Sequence, residues 1–109
     1  MTYKVLYSAL SVSDLDKIWD DVFKASCDFD IADNYIRGIR GVLKQVAKSP
    51  KTGIPLYYDN IFTGIYMVIY KKYIAFYRIG KCVVEVGRVL PGSSDYMQYI
   101  LKSMDINLE

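Results

Sequence analysis

The sequence contains no histidine, and this absence removes several kinds of active site. It excludes an imidazole general base, a Ser-His or Cys-His nucleophile pair and the usual zinc sites. The two cysteines, Cys27 and Cys82, show neither metal-ligand nor redox spacing. We therefore expect no metal and no cofactor, and a reducing cytoplasm is the simplest setting for the chain.

Long apolar runs and a basic leader are also missing. The most apolar stretch, 65–69, is far too short to span a bilayer, and the first ten residues lack the pattern of a signal peptide. We expect no membrane association. The composition is 52% hydrophobic, which is enough apolar material for one compact domain over residues 1–109.

The formal net charge is only +2, so overall charge does not indicate a nucleic-acid binder. The distribution of charge is uneven, however. Acidic residues gather in the first third, whereas from Arg37 to Arg88 lysine and arginine dominate and the only acids are Asp59 and Glu85. This asymmetry predicts a basic face beside an acidic first helix.

Two amphipathic helices follow a short initial strand. Residues 2–8 alternate in the manner of a strand, and apolar residues then recur three and four positions apart from Leu15 to Phe23. A second helix with an apolar face begins near Asp28 or Asp30 and stops before Pro50. Because few residues separate the two helices, they predict an antiparallel helical hairpin.

The rest of the chain reads mainly as strands. Residues 49–60 hold two prolines and a glycine, which favours an irregular connection. Three β-rich runs with short connections then predict an antiparallel meander, and a short helix over about 94–104 is optional. The order is β-α-α-β-β-β(-α), an α+β fold with the helical hairpin packed on one face of a small, largely antiparallel sheet.

Carboxylates and tyrosines each invite a functional interpretation. Asp16 and Asp20 share the polar face of the first helix, so a solvated face is favoured over a two-metal nuclease. The chain has eleven tyrosines, many interleaved with cations between 57 and 88. They could stack on bases. We prefer a half-buried sheet face that contacts a protein partner, because tyrosine is common at interfaces.

The ordered set of elements and motifs resembles the RelE/ParE family of type II toxins, in its ParE-like, plasmid-stabilisation form. The resemblance covers residues 3 to about 101. Leu43, Pro50 and Gly53 are similar to the family's L…P…G bend. The strand YIAFY at 73–77 looks like the Y-x-I-x-Y strand, and VGRVL at 86–90 looks like the closing motif, followed by Gly92 and Asp95.

Several departures from the family pattern bear on activity. The strand before YIAFY has no arginine at 64–67, Pro91 stands in place of the closing histidine, and serines replace the arginines after Gly92. In RelE-like ribonucleases, basic side chains in these regions help activate the ribose 2′-hydroxyl and stabilise the charged phosphorane. The departures therefore weigh against ribonuclease activity.

If the chain is a ribonuclease, its catalytic candidates are Lys48, Lys51, Arg88 and Tyr96, with Arg78 as a further cation on the sheet. Each has a structural explanation that we favour. We expect the lysines to be solvated near a helix end, where cations are mildly favourable. We expect Arg88 to form an ion pair with an acid such as Asp95, and the Tyr96 ring to cap the core.

The resemblance implies a ParE-like toxin that inhibits DNA gyrase and replication by binding, without chemistry of its own. A cognate antitoxin would neutralise it, and promoter DNA would be bound only through that complex. The alternative is a RelE-like ribosome-dependent endoribonuclease that cleaves mRNA, and a third possibility is an inactive remnant that binds antitoxin. The predicted partner-binding residues are Trp19, Tyr66, Tyr70, Tyr73, Tyr77, Arg78 and Arg88.

Overall fold

The computed structural model describes residues 2–104, which alternate between helices and one sheet. The elements are β1 (Lys4–Tyr7), α1 (Ala9–Ser26), α2 (Phe29–Val46), a single 3-10 turn (Pro50–Thr52), β2 (Ile54–Tyr58), β3 (Ile61–Tyr70), β4 (Tyr73–Ile79), β5 (Val83–Pro91) and α3 (Tyr96–Ser103). The predicted α+β class and the closing helix are confirmed. Within residues 2–104, none of the helices combines the length and apolarity needed to cross a membrane.

The five strands lie in the order β1-β5-β4-β3-β2. Strands β2 to β5 form an antiparallel meander, as their short connections predict. Strand β1 pairs in parallel with β5, with Lys4 opposite Val83 and Tyr7 opposite Val86. The first strand of the chain is therefore an edge strand beside the last one, and the helical hairpin lies between them in sequence.

Strand β2 corrects the prediction of an irregular connection over residues 49–60. Pro55 lies inside this strand, where the missing N–H is tolerated because β2 is an edge strand. Asp59 and Asn60 both have positive φ, the backbone form that tight hairpin turns require. The proline and the unusual turn pair together hid a regular β2–β3 hairpin.

Side-chain caps set the bounds of the helical hairpin. The Ser8 hydroxyl oxygen accepts a hydrogen bond from the Ser11 N–H at the start of α1. Cys27 ends α1 in the left-handed region, and the Asp28 carboxylate then accepts bonds from the N–H groups of Asp30 and Ile31. Two residues thus separate the helices, so the chain reverses at once and the predicted hairpin is confirmed.

Both faces of the sheet are covered. The hairpin packs on one face through a buried cluster that includes Leu15, Ile18, Ile39, Leu43, Ala75, Tyr77 and Val84. Helix α3 packs on the other face through Ile100, and Met104 directly after the helix joins the same buried cluster around Phe76. Because α3 lies opposite the hairpin, the middle of β4, residues 74–77, is buried on both faces of the sheet.

Candidate functional site

Arg88 and Asp14 form an ion pair that joins β5 to α1. The guanidinium Nε lies 2.8 Å from one carboxylate oxygen of Asp14 and Nη2 lies 2.9 Å from the other. The Val89 N–H donates to the same carboxylate at 3.0 Å. Both charged side chains are only 14% exposed. The carboxylate therefore neutralises Arg88 and satisfies a backbone donor of β5 at the same time.

Arg88 forms the expected ion pair with an acid, but the acid is Asp14 and not the suggested Asp95. Asp95 lies at the start of α3 with its side chain exposed, whereas Asp14 reaches Arg88 from the helical hairpin. Arg88 also contacts α3, because Nη1 donates to Ser103 Oγ at 3.3 Å and the guanidinium lies 5.8 Å from the Tyr99 ring centre. The hydrogen bond to Asp14 raises the pKa of Arg88, although burial acts in the opposite direction.

The four catalytic candidates are not gathered around one site. Lys48, Lys51 and Arg88 line three different cavities. Both lysines are exposed, on either side of the Ser49-Pro50 step. The Tyr96 ring lies 5.3 Å from the ring of Phe76, against the α3 side of the sheet. The structural explanations of Lys48, Lys51 and Tyr96 fit these positions better than the catalytic ones.

Tyr70, Lys71 and Tyr73 surround Tyr35 at the β3–β4 turn, and we call these four residues the tyrosine cluster. Both tyrosine rings meet Tyr35 edge-on, at 5.3 and 5.8 Å between centroids. The Lys71 ammonium lies 5.2 Å from the Tyr35 ring and 5.5 Å from the Tyr70 ring. Burial raises the pKa of Tyr73, and the charge of Asp21 raises it further.

A second aromatic group, the tryptophan cluster, lies at the turn of the helical hairpin. Trp19 stacks on Phe23 at 5.3 Å and meets Phe29 at 5.8 Å, and its indole N–H donates to Asp33 at 2.8 Å. The Phe29 side chain is 63% exposed. Large aromatic side chains that stay in water are costly unless a partner covers them, so this cluster is a candidate contact surface.

The remaining predicted contact residues differ in how deeply they are buried. Tyr77 is fully buried and donates a hydrogen bond from its hydroxyl to the Pro50 carbonyl at 2.6 Å. Its predicted direct contact with a partner does not fit this position, because the ring fills the core beneath the 3-10 turn. Tyr66 is half-buried and stacks on Tyr77 at 5.7 Å. Arg78 is half-buried and lines a cavity of about 350 Å³ with Glu85.

Sequence reasoning missed Asp14 and Tyr35. Asp14 is one of four acids on the first helix, nothing in the sequence sets it apart from the others, and its partner Arg88 is 74 residues away. Local spacing carries no information about such a contact. Tyr35 belongs to the apolar stripe of α2, and only the docking of the β3–β4 turn makes it the centre of a cluster.

The described part of the chain offers no group of three or more histidine, cysteine, aspartate or glutamate side chains that could hold a metal ion. Cys27 and Cys82 are exposed free thiols. Both also lie in the left-handed backbone region, at turns that follow α1 and β4.

Comparison with solved structures identifies the class of fold. One similar structure is the chromosomal ParDE toxin–antitoxin system from P. aeruginosa, with 14% identity and a TM-score of 0.67 over 83% of this chain and 96% of that one. Another is the RelBE2 toxin–antitoxin complex from Mycobacterium tuberculosis, with 20% identity and a TM-score of 0.55 over 84% of this chain and 99% of that one. At these identities the likeness shows the RelE/ParE fold alone.

The sequence itself defines the family. Residues 5–96 match the model described as the ParE toxin of the type II toxin-antitoxin system parDE. The chain therefore belongs to the ParE toxin family, and the resemblance seen in its motifs is confirmed. No curated protein matches it closely enough to be counted as a relative.

Proposed function

We propose that this chain is a toxin that acts by binding DNA gyrase, and that a cognate antitoxin neutralises it. Membership of the ParE toxin family supports the toxin role. The observation that carries the choice of a binding mechanism is the state of Arg88, whose guanidinium is held by both carboxylate oxygens of Asp14. A cation so engaged is poorly placed to stabilise a phosphorane.

Chemistry by this chain would need more than one free cation. Cleavage by 2′-hydroxyl attack requires a base, an acid and a positive charge that converge on one phosphate. The candidates Lys48, Lys51 and Arg88 instead line separate cavities, and the Tyr96 ring packs against Phe76. This arrangement supports a toxin whose effect comes from occupying a surface of its target.

The tryptophan cluster and the tyrosine cluster are our candidates for the contact surface. They lie near the turn of the hairpin and the β3–β4 turn, and Asp21 of α1 is close enough to Tyr73 to influence its pKa. Tryptophan and tyrosine are enriched among the few residues that dominate the affinity of protein interfaces. We propose Trp19, Tyr70 and Tyr73 as direct contacts, Tyr66 and Arg78 as flanking ones, and Arg88 as the support behind them.

A supercoiling assay with purified gyrase tests the proposal. The chain should inhibit supercoiling, and addition of the antitoxin should restore it. Trp19→Ala should weaken inhibition at least about tenfold, whereas Lys102→Ala, at an exposed position of α3, should leave it unchanged. The double variant Lys51→Ala/Tyr96→Phe should inhibit as the natural chain does. Supercoiling that is unaffected by a folded chain would rule out this mechanism.

The second candidate is a ribosome-dependent mRNA endoribonuclease. One observation favours it: Lys48 and Lys51 are both exposed beside the 3-10 turn, where two cations could meet a phosphate backbone. Mapping of mRNA ends from translating ribosomes would reveal cleavage, and loss of that cleavage in Lys51→Ala would establish it. An inactive remnant that only binds antitoxin would leave growth unchanged on induction.

A further inference from the structure

The turn of the helical hairpin is strongly acidic, although the chain as a whole is slightly basic. Residues 16–33 carry six aspartates and only two lysines, whereas the formal net charge of the chain is +2. All six aspartates are exposed. The same segment holds the three rings of the tryptophan cluster, Trp19, Phe23 and Phe29. Negative charge and exposed aromatic surface therefore coincide at this end of the hairpin.

Each ring of the tryptophan cluster has an aspartate beside it on its own helix. Asp16 lies three positions before Trp19, and Asp20 lies three positions before Phe23. Asp33 lies four positions after the third ring and accepts the indole N–H at 2.8 Å. Residues three or four positions apart are neighbours on a helix surface. We call Asp16, Asp20 and Asp33 the flanking aspartates.

The three rings form one surface and not three separate contacts. Their centroids lie 5.3, 4.7 and 5.8 Å apart, and their planes differ by 13°, 22° and 32°. The bond to Asp33 satisfies the indole N–H, which is the polar group of the cluster. The exposed part that remains is aromatic ring. It suits a ligand group that packs on or stacks against rings.

The flanking aspartates determine which ligand groups suit this surface. A nucleic acid or an acidic peptide would bring negative charge toward negative charge. A guanidinium stacks on aromatic rings and also forms two parallel hydrogen bonds with a carboxylate. Within residues 2–104 the ion pair found is that of Arg88 with Asp14, so the flanking aspartates have no cationic partner there. Charge complementarity therefore favours an arginine from another protein.

Arg88 shows the same combination of contacts inside this protein. Both carboxylate oxygens of Asp14 hold its guanidinium, which also lies 5.8 Å from the Tyr99 ring centre. The cation–ring contacts of residues 2–104 all involve tyrosines, so the rings of the tryptophan cluster are open to a cation. The cluster has the carboxylates and the rings of such a site without the arginine.

We propose that the tryptophan cluster and the flanking aspartates bind a basic, arginine-bearing segment of the target protein. An arginine of that segment stacks on the rings, and its guanidinium donates to the carboxylates beside them. The identification of the target as gyrase rests on the proposed function, whereas the chemistry of the site does not. If gyrase is the target, the toxin covers one of its positively charged surfaces.

A peptide titration tests the chemistry of the site. Trp19 is the one tryptophan of the chain, so its fluorescence reports binding at this position. The full chain is titrated with four tryptophan-free peptides of equal length that combine leucine with arginine, lysine, glutamine or glutamate. We expect the arginine peptide to bind at least about tenfold more tightly than the glutamine and glutamate peptides, and to weaken as salt rises. Binding no tighter than that of any of the other three peptides would overturn the proposal.

Neutral variants separate the effect of charge from that of ring contact. The variant Asp16→Asn/Asp20→Asn/Asp33→Asn preserves side-chain size, and the amide oxygen at position 33 still accepts the indole N–H. It should bind the arginine peptide at least about tenfold more weakly. The matched control removes three exposed acids from other elements and should stay within about twofold of the natural chain; it is Asp59→Asn/Glu85→Gln/Asp95→Asn. Undiminished binding by the first variant, with an unchanged near-ultraviolet circular dichroism spectrum, would contradict the proposal.

The supercoiling assay then links the site to its target. The variant without flanking aspartates should inhibit gyrase at least about tenfold less well than the natural chain, and the matched control should inhibit as the natural chain does. Full inhibition by the first variant would overturn the inference and leave the proposed function standing. A natural chain that binds the arginine peptide but leaves supercoiling unaffected would support the site and overturn gyrase as its target.

Discussion

At the residue scale, Asp14 has the largest structural role of the acidic residues on α1. Its carboxylate accepts two bonds from Arg88 and one from the Val89 N–H, whereas the neighbouring Asp16 and Asp20 are exposed. The sequence shows a cluster of acids on α1. Only the packing of α1 beside β5 shows that Asp14, and not its neighbours, pairs with Arg88.

We predict that Asp14→Ala lowers the free energy of unfolding by about 2 kcal/mol, because it leaves Arg88 charged, mostly buried and unpaired. Asp16→Ala, on the exposed face of the same helix, should change it by less than about 0.5 kcal/mol. Urea denaturation measures both values. Equal losses in the two variants would show that the ion pair contributes nothing beyond a helix-surface charge.

Tyr77 provides a pH-dependent prediction. Burial raises its pKa from 10.0 to about 12. The unfolded chain therefore loses this proton first, and the stability that the neutral buried phenol contributes is present below pH 10 and is lost as the pH rises toward about 12.

Tyr77→Phe should remove the part of the stability loss at alkaline pH that comes from ionisation of Tyr77. At neutral pH the variant should be less stable by about 1 kcal/mol, because the Pro50 carbonyl loses its hydrogen-bond donor. Unfolding measured at neutral pH and above pH 10 should show the gap between variant and natural chain narrowing as the pH rises. A stability difference that stays constant with pH would contradict the raised pKa of Tyr77.

At the element scale, the two helices and their order follow from the sequence, whereas the sheet order does not. Apolar spacing and capping residues are local features, so α1 and α2 were predictable. The parallel pairing of β1 with β5 joins residues about 80 positions apart and leaves no local pattern. Strand β2 was hidden by Pro55, and its Asp59-Asn60 turn was the available indication of a hairpin.

The candidate site was predictable only in part, for a similar reason. Period-two alternation places Tyr73 and Tyr77 on one face of β4 but does not show what covers each of them. Helix α2 leaves Tyr73 half-exposed beside Tyr35, whereas the 3-10 turn at Pro50 covers Tyr77 completely. Which tyrosine is available to a partner depends on tertiary packing.

The two glycines inside α2 should respond differently to the same substitution. A Cβ at Gly38 would collide with the Tyr70 ring, whereas one at Gly41 would meet open space. Gly41→Ala should therefore gain about 1 kcal/mol of stability from helix propensity. Gly38→Ala should lose that gain, because Tyr70 must leave its edge contact with Tyr35.

Thermal or urea unfolding of the two alanine variants measures this difference directly. We expect Gly41→Ala to exceed Gly38→Ala by at least about 1 kcal/mol. Near-ultraviolet circular dichroism should change in Gly38→Ala alone, because only there do tyrosine rings move. Equal stabilisation by both variants would mean that α2 and β3 do not pack as closely as the Gly38–Tyr70 contact requires.

At the scale of the whole molecule, the fold presents two surfaces of different chemistry. The aromatic clusters lie at the turns of the hairpin and of β3–β4, whereas four exposed cations, Arg37, Arg40, Lys44 and Lys48, line a cavity beside the edge strand β1. The catalytic candidates are dispersed among separate cavities. The dispersion of these candidates favours the proposed binding mechanism over catalysis.

The central claim is that the chain acts on gyrase by binding, and pulse labelling after its induction alone in a bacterial host tests that claim most directly. DNA synthesis and protein synthesis are followed separately over the first minutes, with Trp19→Ala as the matched variant. We predict that DNA synthesis fails first and that Trp19→Ala delays the failure. Protein synthesis that fails first, with loss of the effect in Lys51→Ala, would contradict the account and favour cleavage of mRNA.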